Sequence, residues 1–198
     1  MFNSYNYIMK GTYMRLSLYN VDPSYCEYLR GFDRKVSQVT KNKERRPFLG
    51  VVVELENGIK YYAPLTSPKS KHQSMKNDID FIKINNGVWG AINLNNMVPI
   101  EEEFIKKINL KINPGDTEEE IKRKNLLINQ ITWCNSNREK ILKYANKLYK
   151  LITQKKAPKE LADRCCDFKL LEQKCLEYRE LRLYQKQIAI TAENDLSI

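Results

Sequence analysis

Two periodicities divide this chain. From Leu16 to Ile100 the apolar residues come in short runs separated by turn-forming dipeptides, whereas from residue 117 onward they recur three or four positions apart. Side chains alternate across a strand and spiral around a helix, so the first pattern predicts strands and the second helices. The fold class expected is α+β: a compact, strongly curved antiparallel sheet or partial barrel, with helical elaborations mainly toward the C-terminus. Residues 14–198 read as a single domain, β-rich over about 14–112 and helical over about 117–190. Residues 1–13 have no clear period and read as an extension ahead of a second methionine, Met14.

Leu16 to Val21 predicts a short strand. Asp22 and Pro23 then stand in N-cap and first-turn order for a helix to Phe32, with Tyr25, Tyr28, Leu29 and Phe32 on its apolar side. A polar, basic loop over residues 37–46 leads to the strand Pro47 to Glu56. Asn57-Gly58 supplies a tight hairpin turn, and Ile59 to Leu65 returns. Counted outward from that turn, Glu56 opposes Ile59 and Arg46 falls near the level of residue 69. Residues 70–78 read as a polar loop. Phe81 to Ile84, Val88 to Leu94 and Met97 to Ile100 predict further short strands, with Asn85-Asn86-Gly87 as a turn. Glu101-Glu102-Glu103 reads as a solvated run.

Thr117 and Glu120 form a capping-box pair just after Pro114-Gly115. Ile121, Ile128, Ile131, Ile141, Ala145, Leu148 and Ile152 then predict one long amphipathic helix or two abutting ones. Pro158 interrupts near the end. Asp167 is positioned to cap a last helix that buries Phe168, Leu171, Cys175, Tyr178 and Leu181, with fraying expected from Thr191.

Charge sharpens the picture. The chain carries a formal net charge of +10. Residues 30–76 hold eleven Lys and Arg against four Asp and Glu, while residues 101–198 hold twenty against sixteen. The positive field is therefore concentrated in the β-rich half, which favours a polyanion and nucleic acid before membrane. Five cysteines without a C-x-x-C pair, and one histidine, do not make a zinc site. They suggest free, mostly buried thiols in a reducing cytoplasm. No apolar run is long enough to span a membrane.

Within the basic half, one stretch stands out: Tyr61-Tyr62-Ala63-Pro64-Leu65-Thr66-Ser67-Pro68-Lys69. Proline lacks an N–H and restricts the residue before it, so Pro68 should stop the ladder and leave Thr66 and Ser67 at a sheet edge or rim. Two hydroxyl donors beside a lysine can cradle phosphate, although a strand-end turn whose hydroxyls cap backbone groups is the plainer use of the same residues. Tyr61 and Tyr62 point to opposite faces, so either one stacks on a base or both fill the core.

Residue supply narrows the chemistry. One histidine cannot provide an acid and base pair of imidazoles. The first hundred residues hold eight carboxylates, none clustered near the hydroxyls, which argues against a metal-dependent nuclease. No P-loop, G-x-G-x-x-G or G-x-S-x-G segment occurs. Phosphodiester chemistry that needs neither metal nor cofactor remains, because RNA carries its own nucleophile, the 2′-OH. Arg46 can clamp non-bridging oxygens, Thr66 and Ser67 can donate to them, and Lys69 can carry protons. Lys35, Lys41, Lys43, Arg45, Lys71, His72 and Asn93 are candidate RNA contacts. His72 is an alternative acid or base, although a lone histidine in a basic loop is more often solvated. A non-catalytic RNA-binding module would use the same surface; a DNA-binding regulator is less well supported, because no helix-turn-helix with a basic face is evident.

Met14-Arg15-Leu16 through Val36, Pro47-Phe48-Leu49-Gly50-Val51-Val52, Ala63 to Lys69, Gly90-Ala91-Ile92-Asn93-Leu94 with Met97-Val98-Pro99-Ile100, and Asp167 to Glu172 occur in order. Together they resemble the ToxN/AbiQ toxins of type III toxin–antitoxin systems. The resemblance implies a core like that of the MazF/Kid toxins, a metal-independent endoribonuclease without cofactor, and a role in phage abortive infection. It also implies a small RNA pseudoknot as antitoxin, cellular or phage RNA as substrate, and a cyclic protein–RNA assembly. It places the catalytic hydroxyls and lysine on Thr66, Ser67 and Lys69. The family's other catalytic lysine falls on Arg46, which keeps the charge but does not accept a proton.

Overall fold

The computed structural model describes residues 15–39 and 46–195, the last four of these by backbone only. The expected extension at residues 1–13 and most of the basic loop, with Lys41, Lys43 and Arg45, lie outside the described residues. β1 (Ser17–Val21) leads into α1 (Pro23–Phe32), whose first turn is capped by Asp22 accepting from the N–H groups of Ser24 and Tyr25. Such a cap contributes about 1 kcal/mol. Tyr25, Cys26 and Leu29 are buried. Phe32, expected inside, is exposed, with the Lys174 ammonium 4.4 Å from its ring centroid.

The hairpin of β2 (Phe48–Glu54) and β3 (Lys60–Thr66) forms as expected, with the Leu55 N–H donating to the Ile59 carbonyl at 2.9 Å. Its register does not follow a simple count from the turn. Val53 pairs with Tyr61, but beyond an irregularity between Gly50 and Val53 the partners become Gly50 with Tyr62 and Phe48 with Pro64. The Leu65 N–H then donates to the Pro47 carbonyl. Arg46, one residue further out, is thus level with Thr66 and not with residue 69. An added residue pair on one strand shifts every later partner.

β3 ends at Thr66, just ahead of Pro68, while Pro64 sits inside the strand without interrupting the ladder. Leu65 directs its N–H toward β2, so the N–H that Pro64 lacks would point to the other edge of β3. That edge changes partner at this position: β6 (Val98–Pro99) pairs with Tyr61 and Tyr62, and β5 (Ala91–Asn93) pairs with Leu65 and Thr66. Proline is tolerated in a central strand where no ladder bond is lost.

β4 (Phe81–Lys83) and β7 (Ile105–Lys107) complete a seven-stranded sheet ordered β4-β5-β3-β2-β1-β7, with β6 attached to β3. The sheet is antiparallel and open, since its two ends do not pair among the described residues, and β7 adds a strand that the alternation did not announce. The predicted strand over 88–94 shortens to β5 because the chain turns through Ile84–Gly87 and again at Gly90. The predicted polar loop contains a short helix, α2 (Ser70–Ser74).

The helical half follows its capping signals. Thr117 and Glu120 form the capping box of α3 (Glu118–Ser136), and α4 (Arg138–Thr153) abuts it at Asn137. Pro158 starts α5 (Lys159–Arg164), and Asp167 caps α6 (Phe168–Asp195) by accepting from the Leu170 N–H at 3.1 Å. α3, α4 and α6 pack against β1, β2 and β6 respectively. Tyr61 donates its hydroxyl to the buried Glu172 of α6 at 2.9 Å, and Tyr149 of α4 does so at 2.7 Å. Tyr62, on the other face, packs edge-on against Tyr19. Both tyrosines are buried, so neither offers a ring for base stacking.

Two further expectations change. α6 continues to Asp195, past the fraying point expected at Thr191, and Leu181 is exposed rather than buried. The acidic run is paired: Glu102 with Lys60, Glu101 with Arg179 and Glu103 with Lys186. No helix among the described residues is long and apolar enough to cross a membrane.

Candidate active site

β3 delivers the site from its C-terminal end. Thr66 is its last residue and is half-buried, while Ser67, Pro68 and Lys69 follow on the surface. The chain folds back at once. Lys69 is the N-cap of α2, its carbonyl accepting from the His72 N–H at 2.9 Å. Residues 66–72 therefore form a tight hook, with Ser67 and two cations, Lys69 and Lys71, exposed on it.

His72 is on the inner side. Expected as a solvated RNA contact, it is 2% exposed. Its ring centroid is 5.7 Å from that of Phe81, and its Nε2 is 3.5 Å from Thr66 Oγ1. Burial lowers the pKa of its ring, and the cations of Lys69 and Lys71 lower it further. The Thr66 hydroxyl donates to the Ser67 carbonyl at 3.0 Å.

The hook rests on two glycines. Gly90 and Gly87 both have positive φ, at +94° and +92°. A β-carbon at Gly90 would sit 2.0 Å from the Thr66 carbonyl oxygen, and one at Gly87 would sit 2.7 Å from that of His72. Only glycine permits both the backbone conformation and the close approach. The segment is itself anchored, because Gln130 of α3 donates to the Trp89 carbonyl at 2.7 Å. A strand run through Gly90, as the apolar pattern predicts, leaves this support unseen. The available clue is the glycine itself, which inside a strand pattern signals a break or a close backbone approach.

Arg46 reaches the same strand end by the hairpin register. It is half-buried, and burial pulls its pKa below the usual guanidinium value. Cys26 works against that shift and Arg30 adds to it. Asn93 shares the sheet face of Thr66, since Ala91 opposes Thr66 and Asn93 lies two residues along β5. Lys35 meets the end of the adjoining strand through its backbone. Its carbonyl accepts from Asn96 at 2.7 Å, in the turn that follows β5. The structure thus gathers Arg46, Thr66, Ser67, Lys69 and Lys71 around one sheet end, with Asn93 on the adjoining strand.

The five cysteines are free and buried, and burial pushes the Cys26 and Cys134 thiols to about 12, which makes them poor nucleophiles. Among the described residues no three His, Cys, Asp or Glu side chains are grouped to hold a metal ion. What the site offers is donors and cations converging on a strand end, an arrangement suited to phosphate oxygens.

Comparison with known proteins defines the class. Residues 17–176 match the model of the toxin ToxN family of type III toxin–antitoxin systems. The chain belongs to that family. Among curated relatives, the endoribonuclease ToxN of Pectobacterium atrosepticum is 33% identical over 171 residues, covering 82% of this chain and 94% of its own. The endoribonuclease ToxN of Bacillus thuringiensis subsp. kurstaki is 30% identical over 166 residues, covering 82% and 84%. A solved toxin structure, described for selective inhibition by a non-coding RNA pseudoknot, superposes with a TM-score of 0.72 at 30% identity, covering 84% of this chain and 99% of that one. A second, from a bacterial antiviral system regulated by a processed non-coding RNA, gives 0.67 at 31% identity, covering 83% and 98%.

Proposed function

We propose that this member of an endoribonuclease family cleaves RNA without a metal ion, through the 2′-OH beside the scissile phosphate. The observation that carries the reading is the convergence of Arg46 and Thr66 at one sheet end, with Ser67 and Lys69 directly following. The 2′-oxygen loses its proton and bonds to phosphorus, and the bond to the 5′-oxygen breaks. The departing 5′-oxygen takes up a proton, leaving a 2′,3′-cyclic phosphate and a 5′-OH. Arg46, always protonated near neutrality, supplies charge to the non-bridging oxygens. Thr66 and Ser67 supply hydrogen bonds that strengthen as charge builds in the transition state. Lys69, exposed beside them, is the group best placed to exchange protons.

The relatives' description extends the reading. A small RNA pseudoknot fits the basic half of the chain as antitoxin, and one RNA touching two surfaces would close protein and RNA into a ring. The setting is the cytoplasm, and the role is abortive infection in response to phage. The open antiparallel sheet is read as the counterpart of a MazF/Kid core.

The test is purified protein incubated with RNA in EDTA, with the end groups mapped. Cleavage to cyclic phosphate and 5′-OH ends is expected. Ser67→Ala should cut at least a hundredfold more slowly while binding RNA almost as well, since a single donor to a charged transition state is worth about 10²–10³ in rate. Binding without cleavage by the wild-type protein would favour the RNA-binding module instead.

A further inference from the structure

His72 is the one histidine of the chain, and its burial removes it from the roles that sequence suggests. Its surroundings point to another. A hydroxyl carries one proton, and the Thr66 proton is directed at the Ser67 carbonyl at 3.0 Å. His72 Nε2, 3.5 Å from the same oxygen, can then meet Thr66 Oγ1 only by donating. That places a proton on Nε2, and in the neutral ring it leaves a bare lone pair on Nδ1. Nδ1 is indeed buried without a hydrogen-bond partner, and an unmatched acceptor is tolerated in an interior more readily than an unmatched N–H. The ring has little freedom to turn away. Phe81 packs beside it, the backbone N–H is held by the Lys69 carbonyl, and the His72 carbonyl occupies the space a β-carbon at Gly87 would need.

We propose that His72 is a positioning residue for Thr66. It donates from Nε2 to the Thr66 hydroxyl oxygen, so that the hydroxyl proton can swing from the Ser67 carbonyl to a phosphate oxygen when RNA loads. No proton changes owner; one hydrogen bond replaces another. The long 3.5 Å contact is of the kind that tightens when a substrate closes the site. A donor feeding Thr66 Oγ1 also makes its O–H a stronger donor in turn, because chained hydrogen bonds polarise one another. The inference rests on the active-site reading given above and adds to it the residue that sets the direction of one catalytic hydroxyl.

A double-mutant cycle tests it, with cleavage of a single-site RNA at saturation and below. His72→Phe keeps a ring and loses the donor, and should lower kcat about tenfold or more with KM little changed. His72→Gln restores an N–H within reach of Thr66 and should lose distinctly less. In a Thr66→Val background neither substitution should cost anything further, since the hydroxyl they serve is gone. Equal losses in both backgrounds, or losses confined to KM, would overturn the role and leave the active-site reading standing. A Thr66→Val protein that cuts at the parental rate would overturn both. Should His72→Phe fail to fold, as judged by circular dichroism, His72→Gln carries the cycle alone. A loss in the Thr66 protein that is absent from the Thr66→Val background supports the role, and no difference between backgrounds refutes it.

Discussion

Arg46 and Lys69 carry like charge into the candidate site from different environments, half-buried just ahead of β2 and exposed at the cap of α2. Neutralising either, as Arg46→Gln or Lys69→Gln, should slow cleavage. If the residue grips a phosphate, the slope of log binding against log salt should also fall by roughly one unit per lost contact. Slower cleavage with an unchanged slope would assign the residue to proton transfer. Gly90 makes a second, sterically explicit case. Gly90→Ala combines a positive φ with a β-carbon 2.0 Å from the Thr66 carbonyl. It should cost roughly 2–4 kcal/mol and reduce cleavage even where the variant remains folded. Gly31→Ala, within α1 and with nothing within 4 Å of the added carbon, should be neutral or slightly stabilising. Melts and rates that do not separate the two glycines would contradict the support assigned to Gly90.

The β2–β3 hairpin was legible as an element because its apolar runs and Asn57-Gly58 turn are local signals. Its register was not. The irregularity between Gly50 and Val53 depends on how β2 meets β1 and β3 together, which no count along the chain contains. α6 illustrates the opposite case, an element whose start was legible and whose end was not. Phe168, Leu171, Cys175 and Tyr178 are buried, whereas residues 180–191 are all exposed, and the family match ends at residue 176. Ending the chain after Arg179 should therefore shift Tm by no more than about 4 °C. What it removes is chiefly the Lys186–Glu103 ion pair, and surface pairs contribute about 1 kcal/mol or less. Phe168→Ala should instead cost about 3–5 kcal/mol. Thermal melts of the two variants check this, and a large loss on truncation would show that the outer half of α6 supports the body.

At the scale of the whole molecule, charge and burial act together. The excess of basic residues over 30–76 should hold nucleic acid, so protein purified from its own operon at low salt is expected to carry a defined RNA of a few tens of nucleotides. The complex should exceed one protein plus one RNA. Absorbance at 260 nm, nuclease sensitivity and light scattering measure this, and a nucleic-acid-free complex with a second polypeptide would refute it. Stability should also depend on pH through His72. Burial holds its folded pKa below the ordinary 6.5, so the unfolded chain takes up this proton first as pH falls. The contribution of the neutral ring is full above about pH 6.5 and is lost as pH drops through that value toward the folded pKa. Melts of the wild type should fall more steeply between about pH 7 and 5.5 than those of His72→Gln. Parallel slopes would mean that His72 is readily protonated in the folded protein.

Neighbouring residues were enough to establish the α+β class, the hairpin and the caps at Asp22, Thr117 and Asp167, and to single out the run from Thr66 to Lys69 as the candidate site. Each is written locally, through alternation, capping side chains or an uninterrupted motif. Three-dimensional packing was needed to bring Arg46 level with Thr66, to bury His72 behind it, and to set Gly87 and Gly90 beneath the hook. It also paired the acidic run at Glu101, Glu102 and Glu103 with Arg179, Lys60 and Lys186. These are contacts between segments far apart in the chain. Their distances are set by which strand lies beside β3 and where its register shifts, and by how closely two backbones can approach when no β-carbon intervenes.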